Sequence, residues 1–128
     1  MGTETPAPHP KRVLVVEDEE RLRHVIARNL EARGHEVVVA ATAAEAEQAV
    51  ECSHVDLMLL DIDLPDRTGW ELVRDLRARG LTVPFIVVSA VTVRPGQVEE
   101  AGAIAYLPKP FPLDALLRLV SDEEAVRA

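Results

Sequence analysis

The chain has 128 residues, of which 48% are hydrophobic, and a net charge of −8 at pH 7. This length supports one domain with a sizeable hydrophobic core. The negative charge and the lack of a basic cluster argue against direct binding of nucleic acid, because neutralising phosphates requires clustered lysine and arginine. No apolar run approaches the roughly 18 residues of a membrane span. A single cysteine, Cys52, excludes an internal disulfide and is typical of the reducing cytoplasm.

The two ends of the chain differ in composition from the segment between them. Residues 1–10 are polar, contain three prolines and have no apolar stretch. They predict a flexible lead-in rather than a signal peptide. We expect the folded domain to span 11–121, with 122–128 as a C-terminal tail or the end of the last helix.

Short apolar runs alternate with segments of helical periodicity along the whole domain. The runs predict strands at 12–17, 35–40, 55–60, 83–88 and 104–107. Helices are predicted at 19–33, after Thr42, at 69–79, as a short helix within 92–102, and from Pro112 onward. This alternation predicts right-handed crossovers and a doubly wound α/β domain, a five-stranded parallel sheet with helices on both faces.

Helical spacing also predicts which side chains face the sheet. Gly34 is placed to cap the end of the first helix. The predicted inward residues are Leu22, Val25, Ile26, Asn29 and Leu30 in the first helix, Leu72, Val73 and Leu76 in the third, and Leu113, Leu116, Leu117 and Val120 in the last.

Polar side chains follow four of the five predicted strands. Glu17 and Asp18 lie at the end of the first strand, Asp61 after the third, Ser89 after the fourth and Lys109 after the fifth. The carboxyl ends of parallel strands share one edge of a sheet, and ligands bind there, at the switch point of the winding. We therefore expect these side chains to form one site.

Three carboxylates at one sheet edge require a cation. At an effective dielectric constant near 20, two such charges about 4 Å apart repel by roughly 4 kcal/mol. Mg²⁺ suits the cluster, because this hard cation binds carboxylates and bridges phosphate oxygens. Glu19 and Glu20 are better explained as the solvated acidic start of a helix.

Asp61 is the candidate nucleophile. It ends the most apolar strand, where a carboxylate is costly unless it has a function, and a carboxylate can attack a phosphoryl group to form an acyl phosphate. Ser89 would donate a hydrogen bond to a phosphoryl oxygen, and Lys109 would pair with Asp61 and then with the phosphoryl group. Asp63 and Asp66 belong to the segment Asp63-Leu64-Pro65-Asp66, whose composition is typical of a turn.

Other polar and aromatic residues carry weaker signals. From spacing alone, Tyr106 is predicted to be a half-buried strand aromatic, and Cys52 has no evident function. The four histidines lack the spacing of metal ligands, so no zinc site is predicted. Pro110 is a candidate for a cis peptide bond, and the sequence alone leaves both isomers open.

With these residues in place, the chain resembles the receiver domain of bacterial two-component response regulators over about residues 11–121. Four segments in order carry the resemblance: Val-Leu-Val-Val-Glu-Asp-Glu-Glu (13–20), Asp-Leu-Met-Leu-Leu-Asp-Ile-Asp-Leu-Pro-Asp-Arg-Thr-Gly (56–69), Ile-Val-Val-Ser-Ala (86–90) and Tyr-Leu-Pro-Lys-Pro-Phe (106–111). Each is moderately specific, and their order and spacing together are highly specific.

The resemblance implies the flavodoxin-like strand order 2-1-3-4-5. It also implies that Asp61 accepts a phosphoryl group from a phosphohistidine of a sensor histidine kinase or a histidine phosphotransfer protein. Asp18, Asp61 and the backbone carbonyl of Asp63 would bind Mg²⁺ directly and Glu17 through water. Mn²⁺ would be an alternative ion.

The family also implies a switch. Ser89 and Lys109 would hold the phosphoryl oxygens, and Tyr106 would turn inward to reshape the face formed by helix 4, strand 5 and helix 5. A downstream protein or a fused output domain would bind this face. The chain would be a cytoplasmic signalling phosphoacceptor, which catalyses only its own phosphorylation and dephosphorylation.

The segment between Ser89 and Lys109 departs from the family pattern. It is slightly shorter than is common, and the shortening falls in helix 4. Ala105 and Ala115 stand where many relatives have acids that form the ion pairs of winged-helix regulator dimers. We therefore do not expect that dimer here.

Three enzyme or ligand classes and one module compete with this interpretation. The main alternative is a receiver-like protein–protein interaction module whose output does not depend on phosphorylation. Haloacid-dehalogenase phosphatases also place Asp-x-Asp after a strand, but Pro65 stands where they need Thr or Val. A calcium loop fails because Pro65 replaces a ligand and Leu72 replaces the bidentate Glu. A dinucleotide site would need Gly-x-Gly-x-x-Gly.

Overall fold

The computed structural model describes residues 10–122. The predicted lead-in and tail therefore lie almost entirely outside the described residues. Five strands alternate with five helices: β1 Arg12–Val16, α1 Glu20–Ala32, β2 Glu36–Ala40, α2 Ala43–Cys52, β3 Leu57–Asp61, α3 Gly69–Ala78, β4 Phe85–Ser89, α4 Gln97–Ala101, β5 Ala105–Pro108 and α5 Leu113–Ser121. Within this range, none of the helices has the length and apolar character needed to cross a membrane.

All five strands are parallel and form one sheet in the order β2-β1-β3-β4-β5, which confirms the predicted fold and strand order. In the register of the sheet, Val16 lies beside Leu60, and Asp61 lies beside Val88. Ser89 lies beside Pro108. The carboxyl ends of β1, β3, β4 and β5 are thus neighbours along one edge.

The core has two layers because successive strand residues point to opposite faces of the sheet. One layer packs strand residues against α2 and α3, and includes Leu14, Val16, Met58, Leu60, Phe85 and Val87. The other packs against α1 and α5, and includes Val13, Val15, Leu57, Leu59, Ile86 and Val88. With both faces covered, β3 and β4 are buried at every position, as the continuous apolar runs predict.

The boundaries of β3 and β4 differ from the predictions at both ends. β4 begins at Phe85 rather than residue 83, because Pro84 has no N–H to donate to the ladder. β3 begins at Leu57, and the preceding Asp56 instead accepts a hydrogen bond from the backbone N–H of Arg12 (2.7 Å). Both strands extend one residue past the prediction, so that Asp61 and Ser89 are their last residues.

The helix ends mostly follow the predicted signals. Thr42 caps α2 by accepting from the N–H of Glu45 (3.1 Å). Gly34 follows α1 with φ of 95°, a left-handed conformation that favours glycine. Pro112 is the N-cap of α5, which corrects the prediction that it lies inside the first turn. α4 is short, as predicted, and has no buried side chain.

The predicted inward faces are correct for α3, where Leu72, Val73 and Leu76 are buried. In α1, Ile26 and Leu30 are buried, but Val25 is 47% exposed, so its predicted inward position is wrong. Helical periodicity locates an apolar stripe, whereas the edge of that stripe depends on where the sheet ends.

Candidate functional site

The carboxyl edge of the sheet gathers three carboxylates. Glu17 follows β1 directly, and its N–H continues the ladder to the carbonyl of Ala40 (3.0 Å). Glu17 as a whole residue is 2% exposed, and Asp61, the last residue of β3, is 4% exposed. Asp18 is exposed to solvent. Two of the acids are therefore held inside the protein, and the third faces its surface.

Glu17, Asp18 and Asp61 fit a metal ion. Each offers one carboxylate oxygen, and these three atoms lie within 4.8 Å of one another. An all-oxygen set with one solvent-facing member suits a hard divalent cation that keeps water ligands, as Mg²⁺ does. Among residues 10–122, this is the only cluster of three or more candidate ligands.

Lys109 brings a positive charge into the same site. Its Nζ lies 2.7 Å from Glu17 Oε1 and 3.1 Å from Asp61 Oδ2. The ammonium group therefore bridges the two buried carboxylates. The Lys109–Pro110 peptide bond is cis.

Burial and hydrogen bonding have opposite effects on the pKa values of Glu17 and Lys109. Burial raises the pKa of Glu17, and the charge of Asp61 adds to the increase, although hydrogen bonds from Lys109 and the N–H of Glu19 oppose it. Burial by itself would lower the pKa of Lys109, but its hydrogen bonds to Glu17 and Asp61 outweigh this effect and raise the pKa. Lys109 is thus a stable cation at neutral pH.

The backbone after β3 holds Asp61 in place. The N–H of Asp63 donates to Asp61 Oδ1 (3.1 Å), so both carboxylate oxygens of Asp61 have donors. Gly69 starts α3 and donates from its N–H to the carbonyl of Ile62 (2.7 Å). A Cβ at Gly69 would lie 2.8 Å from the carbonyl oxygen of Asp61. Only glycine allows α3 to begin this close to the end of β3.

Ser89 lies on the neighbouring strand but is engaged elsewhere. Its side chain is fully buried, and its Oγ accepts a hydrogen bond from the N–H of Val91 (3.1 Å). Its carbonyl accepts from the N–H of Lys109 (2.9 Å). The structure thus brings Glu17, Asp18, Asp61 and Lys109 together. Ser89 ends the strand next to β3, and its hydroxyl has a backbone partner.

Tyr106 lies in β5 beside Val87 and is half-buried against the core layer of α2 and α3, as its spacing predicted. Glu19 and Glu20 are exposed. Cys52 is exposed at the last position of α2.

Arg23 contributes to the site but was not predicted from the sequence. From α1, its Nη1 donates to the carbonyl of Glu17 (2.9 Å) and approaches that of Asp18 (3.5 Å). Both contacts stabilise the backbone that carries the two acids. Because α1 contains other arginines, the sequence does not distinguish Arg23 from them.

Asp66 also has a function that its turn composition did not reveal. Its carboxylate accepts hydrogen bonds from the backbone N–H groups of Ala43 and Ala44, both at 2.9 Å. These groups open α2, where a helix leaves N–H donors unsatisfied. The loop between β3 and α3 is therefore attached to the start of α2, which covers the same face of the sheet as α3.

The chain is a doubly wound α/β domain with an acid–lysine cluster at the carboxyl edge of its sheet, and comparison with known proteins identifies its family. The sequence matches the response regulator receiver domain family over residues 13–121, and the chain belongs to that family. It is 39% identical over 107 residues to the transcriptional regulatory protein KdpE of Mycobacterium tuberculosis, covering 82% of this chain and 47% of KdpE. The response regulator PhoP of Pseudomonas aeruginosa is 38% identical, with 82% and 48% covered. The chain thus spans about half the length of these curated relatives.

Solved structures show the same fold. A CheY-like receiver domain protein from Methanospirillum hungatei superposes with a TM-score of 0.81 at 32% identity, covering 91% of this chain and 94% of that one. The response regulator TrrA of Thermotoga maritima, in complex with Mg²⁺-BeF, gives a TM-score of 0.75 at 29% identity, with 86% and 96% covered.

Proposed function

We propose that this receiver domain accepts a phosphoryl group on Asp61 from the phosphohistidine of a sensor histidine kinase or a histidine phosphotransfer protein. The transfer forms a P–O bond to a carboxylate oxygen of Asp61. It breaks the P–N bond of the donor, whose electron pair returns to the imidazole nitrogen. The observation that carries the proposal is a buried Asp61 held between an ammonium group and a backbone N–H at the carboxyl edge of the sheet.

The acidic cluster supports a requirement for Mg²⁺. Asp18, Asp61 and the backbone carbonyl of Asp63 would bind the ion directly, and Glu17 would do so through water. When bound, the ion would supply positive charge to the phosphoryl oxygens. Mn²⁺ would serve in the same site, since it has a similar preference for oxygen ligands.

Lys109 and Ser89 are the proposed phosphoryl ligands. Lys109 already contacts Asp61, so its ammonium can pair with a phosphoryl oxygen on that side chain. The Ser89 hydroxyl would have to give up its contact with the Val91 N–H to donate there. That exchange, with inward rotation of the half-buried Tyr106, would convert a local charge change into a new surface at α4, β5 and α5.

The proposed setting follows from these assignments. Residues 11–121 would act as the receiver domain of a cytoplasmic signalling pathway. A downstream protein or a fused output domain would bind the surface at α4, β5 and α5. The chain would catalyse only its own phosphorylation and dephosphorylation. Neither nucleic acid nor membrane would be a direct partner of residues 11–121.

Intact-mass spectrometry after incubation with acetyl phosphate and Mg²⁺ tests the proposal. The wild type should gain one phosphoryl group, and Asp61→Asn should gain none because it lacks the nucleophile. Asp63→Asn is the matched control: it removes a carboxylate two residues away but keeps the backbone carbonyl, so labelling should persist.

Equal labelling of Asp61→Asn and wild type would contradict the assignment of Asp61. If neither acetyl phosphate nor a phosphorylated histidine kinase labels the folded wild type, the phosphorylation-independent interaction module becomes the better interpretation.

A further inference from the structure

A groove between α3 and α4 lies outside the site described above. It has a volume of about 370 Å³, within the range of ligand-binding clefts. On the α3 side, its lining residues Trp70, Arg74 and Arg77 recur at the spacing of one helical face. On the opposite side, Arg94 comes from the loop before α4, and Gln97 and Glu100 come from α4 itself.

The three arginines of the groove differ in whether their guanidinium groups have a partner within the protein. Arg77 is fixed: its Nη2 donates to the carbonyl of Ala101 (2.5 Å), and its guanidinium lies 6.0 Å from the ring centroid of Phe85. Within residues 10–122, the guanidinium groups of Arg74 and Arg94 form no ion pair or hydrogen bond. Glu71, whose carboxylate is influenced by the charge of Arg74, is already engaged with the N–H of Thr68 (2.9 Å).

The charge of the groove is opposite to that of the protein. Three arginines face a single carboxylate, that of Glu100, on a chain with a net charge of −8. Trp70, the only tryptophan, is half-buried and adds an apolar wall. Aromatic and arginine side chains side by side are the composition of protein–protein recognition sites.

The shape of the groove favours a peptide over a small anion. A free phosphate is commonly held by converging backbone N–H groups at a helix start or a loop. Here the donors are guanidinium groups along an open cleft between two helices, beside an indole. A groove between helices that offers apolar and charged contacts in turn is suited to a peptide segment.

We propose that the α3–α4 groove binds an acidic peptide segment of a partner protein, with carboxylates on Arg74 and Arg94 and an apolar side chain against Trp70. This surface shares α4 with the α4, β5 and α5 face but has α3 as its other wall. A second cavity of about 380 Å³ lies on that face beside Tyr106, and Arg94 is the only residue that lines both.

Trp70 provides a direct readout, since it is the only tryptophan and lines this groove. The probe is an acetylated, amidated peptide, Glu-Asp-Leu-Glu-Asp-Leu-Glu, with the Gln/Asn version of the same sequence as the uncharged control. The acidic peptide should change Trp70 emission saturably, and the uncharged peptide should not. Each of Arg74→Gln and Arg94→Gln should weaken binding about tenfold, because each removes a charge-assisted contact.

Two further variants distinguish a specific binding site from general charge attraction. Arg28→Gln makes the same charge change at an exposed position of α1, on the other face of the sheet, and should leave the affinity unchanged. Glu100→Gln removes the opposing carboxylate from the groove and should strengthen binding. Because these positions carry no buried contact, the variants should fold normally.

Three results would overturn the proposal. One is unchanged Trp70 emission at millimolar acidic peptide. Another is equal weakening by Arg28→Gln and Arg74→Gln, which would mean non-specific attraction. The third is displacement of the peptide by inorganic phosphate at constant ionic strength, with the same change in emission, which would make the groove a general anion site.

Discussion

Glu17 and Lys109 are 92 positions apart in the chain, yet Lys109 Nζ lies 2.7 Å from Glu17 Oε1. The side chains are 3% and 19% exposed, so the ion pair is largely withdrawn from water. This contact is shorter than the 3.1 Å between Lys109 and Asp61. Lys109 therefore offsets the charge of the acidic cluster as well as contacting the candidate nucleophile.

Lys109→Met should lower the free energy of unfolding by about 3 kcal/mol in a chelator, because removing one partner of a buried pair leaves the other charge uncompensated. Urea unfolding at pH 7 measures the loss. Arg118→Met is the control: it removes a cation from the exposed pair with Asp114 and should cost at most about 1 kcal/mol. Equal losses in the two variants would show that Lys109 does not neutralise a buried cluster.

Mg²⁺ should stabilise the wild type by filling the cluster of Glu17, Asp18 and Asp61. At an ion concentration ten times the dissociation constant, the gain is about 1.4 kcal/mol, seen as a rise in melting temperature. Asp18→Asn should reduce the gain, since it removes a charged ligand at nearly constant volume. Asp114→Asn, a similar change in α5, should preserve it. A melting temperature unaffected by 10 mM Mg²⁺, about ten times the dissociation constant of the weakest calcium sites, would argue against the site.

Asp66→Ala should destabilise the protein by about 1–2 kcal/mol, the typical cost of losing a helix cap. The loss arises because the N–H groups of Ala43 and Ala44 lose their acceptors. Urea unfolding measures the change, and hydrogen exchange at these two amides should become faster. Asp66→Asn retains one good acceptor and should fall between alanine and wild type. Unchanged exchange at both amides in Asp66→Ala would contradict the capping role.

His35 should make stability depend on pH below about 7. Burial lowers the pKa of His35 below its ordinary value of 6.5, and the charges of Lys11 and Arg33 act in the same direction. Below pH 6.5 the unfolded chain therefore binds more protons than the folded one. The contribution of His35 to the free energy of unfolding is complete well above that pH. It declines as the pH falls, by up to about 1.4 kcal/mol per pH unit for one group.

Urea unfolding across this range measures the slope contributed by His35. His35→Gln should reduce it, because the amide does not titrate but can still accept the hydrogen bond that the Lys11 N–H donates to Nδ1 (3.1 Å). His24→Gln, at an exposed position in α1, should leave the slope as in wild type. A slope that survives in His35→Gln would assign the pH dependence to other groups.

The order of polar residues along the chain was enough to predict the fold and the acids and lysine of the candidate site, although not Arg23. Continuous apolar runs such as residues 57–60 indicate strands covered on both faces, and alternation with helices makes them parallel. Parallel strands carry their carboxyl ends to one edge, so Asp61, Ser89 and Lys109 had to be neighbours in any such sheet. Local patterns and chain connectivity determine this much, because they restrict which face and which end of an element a residue occupies.

Only the tertiary structure decided how those residues pair. Sequence spacing predicted Lys109 beside Asp61, but its shorter contact is with Glu17, because the two strand ends and the ammonium group share one buried space. Ser89 bonds to the Val91 N–H, and Asp66 caps a helix that begins 23 residues earlier. Such contacts depend on distances between elements that are remote in sequence. No local pattern encodes them, because they arise only once the sheet order and the helix positions are set.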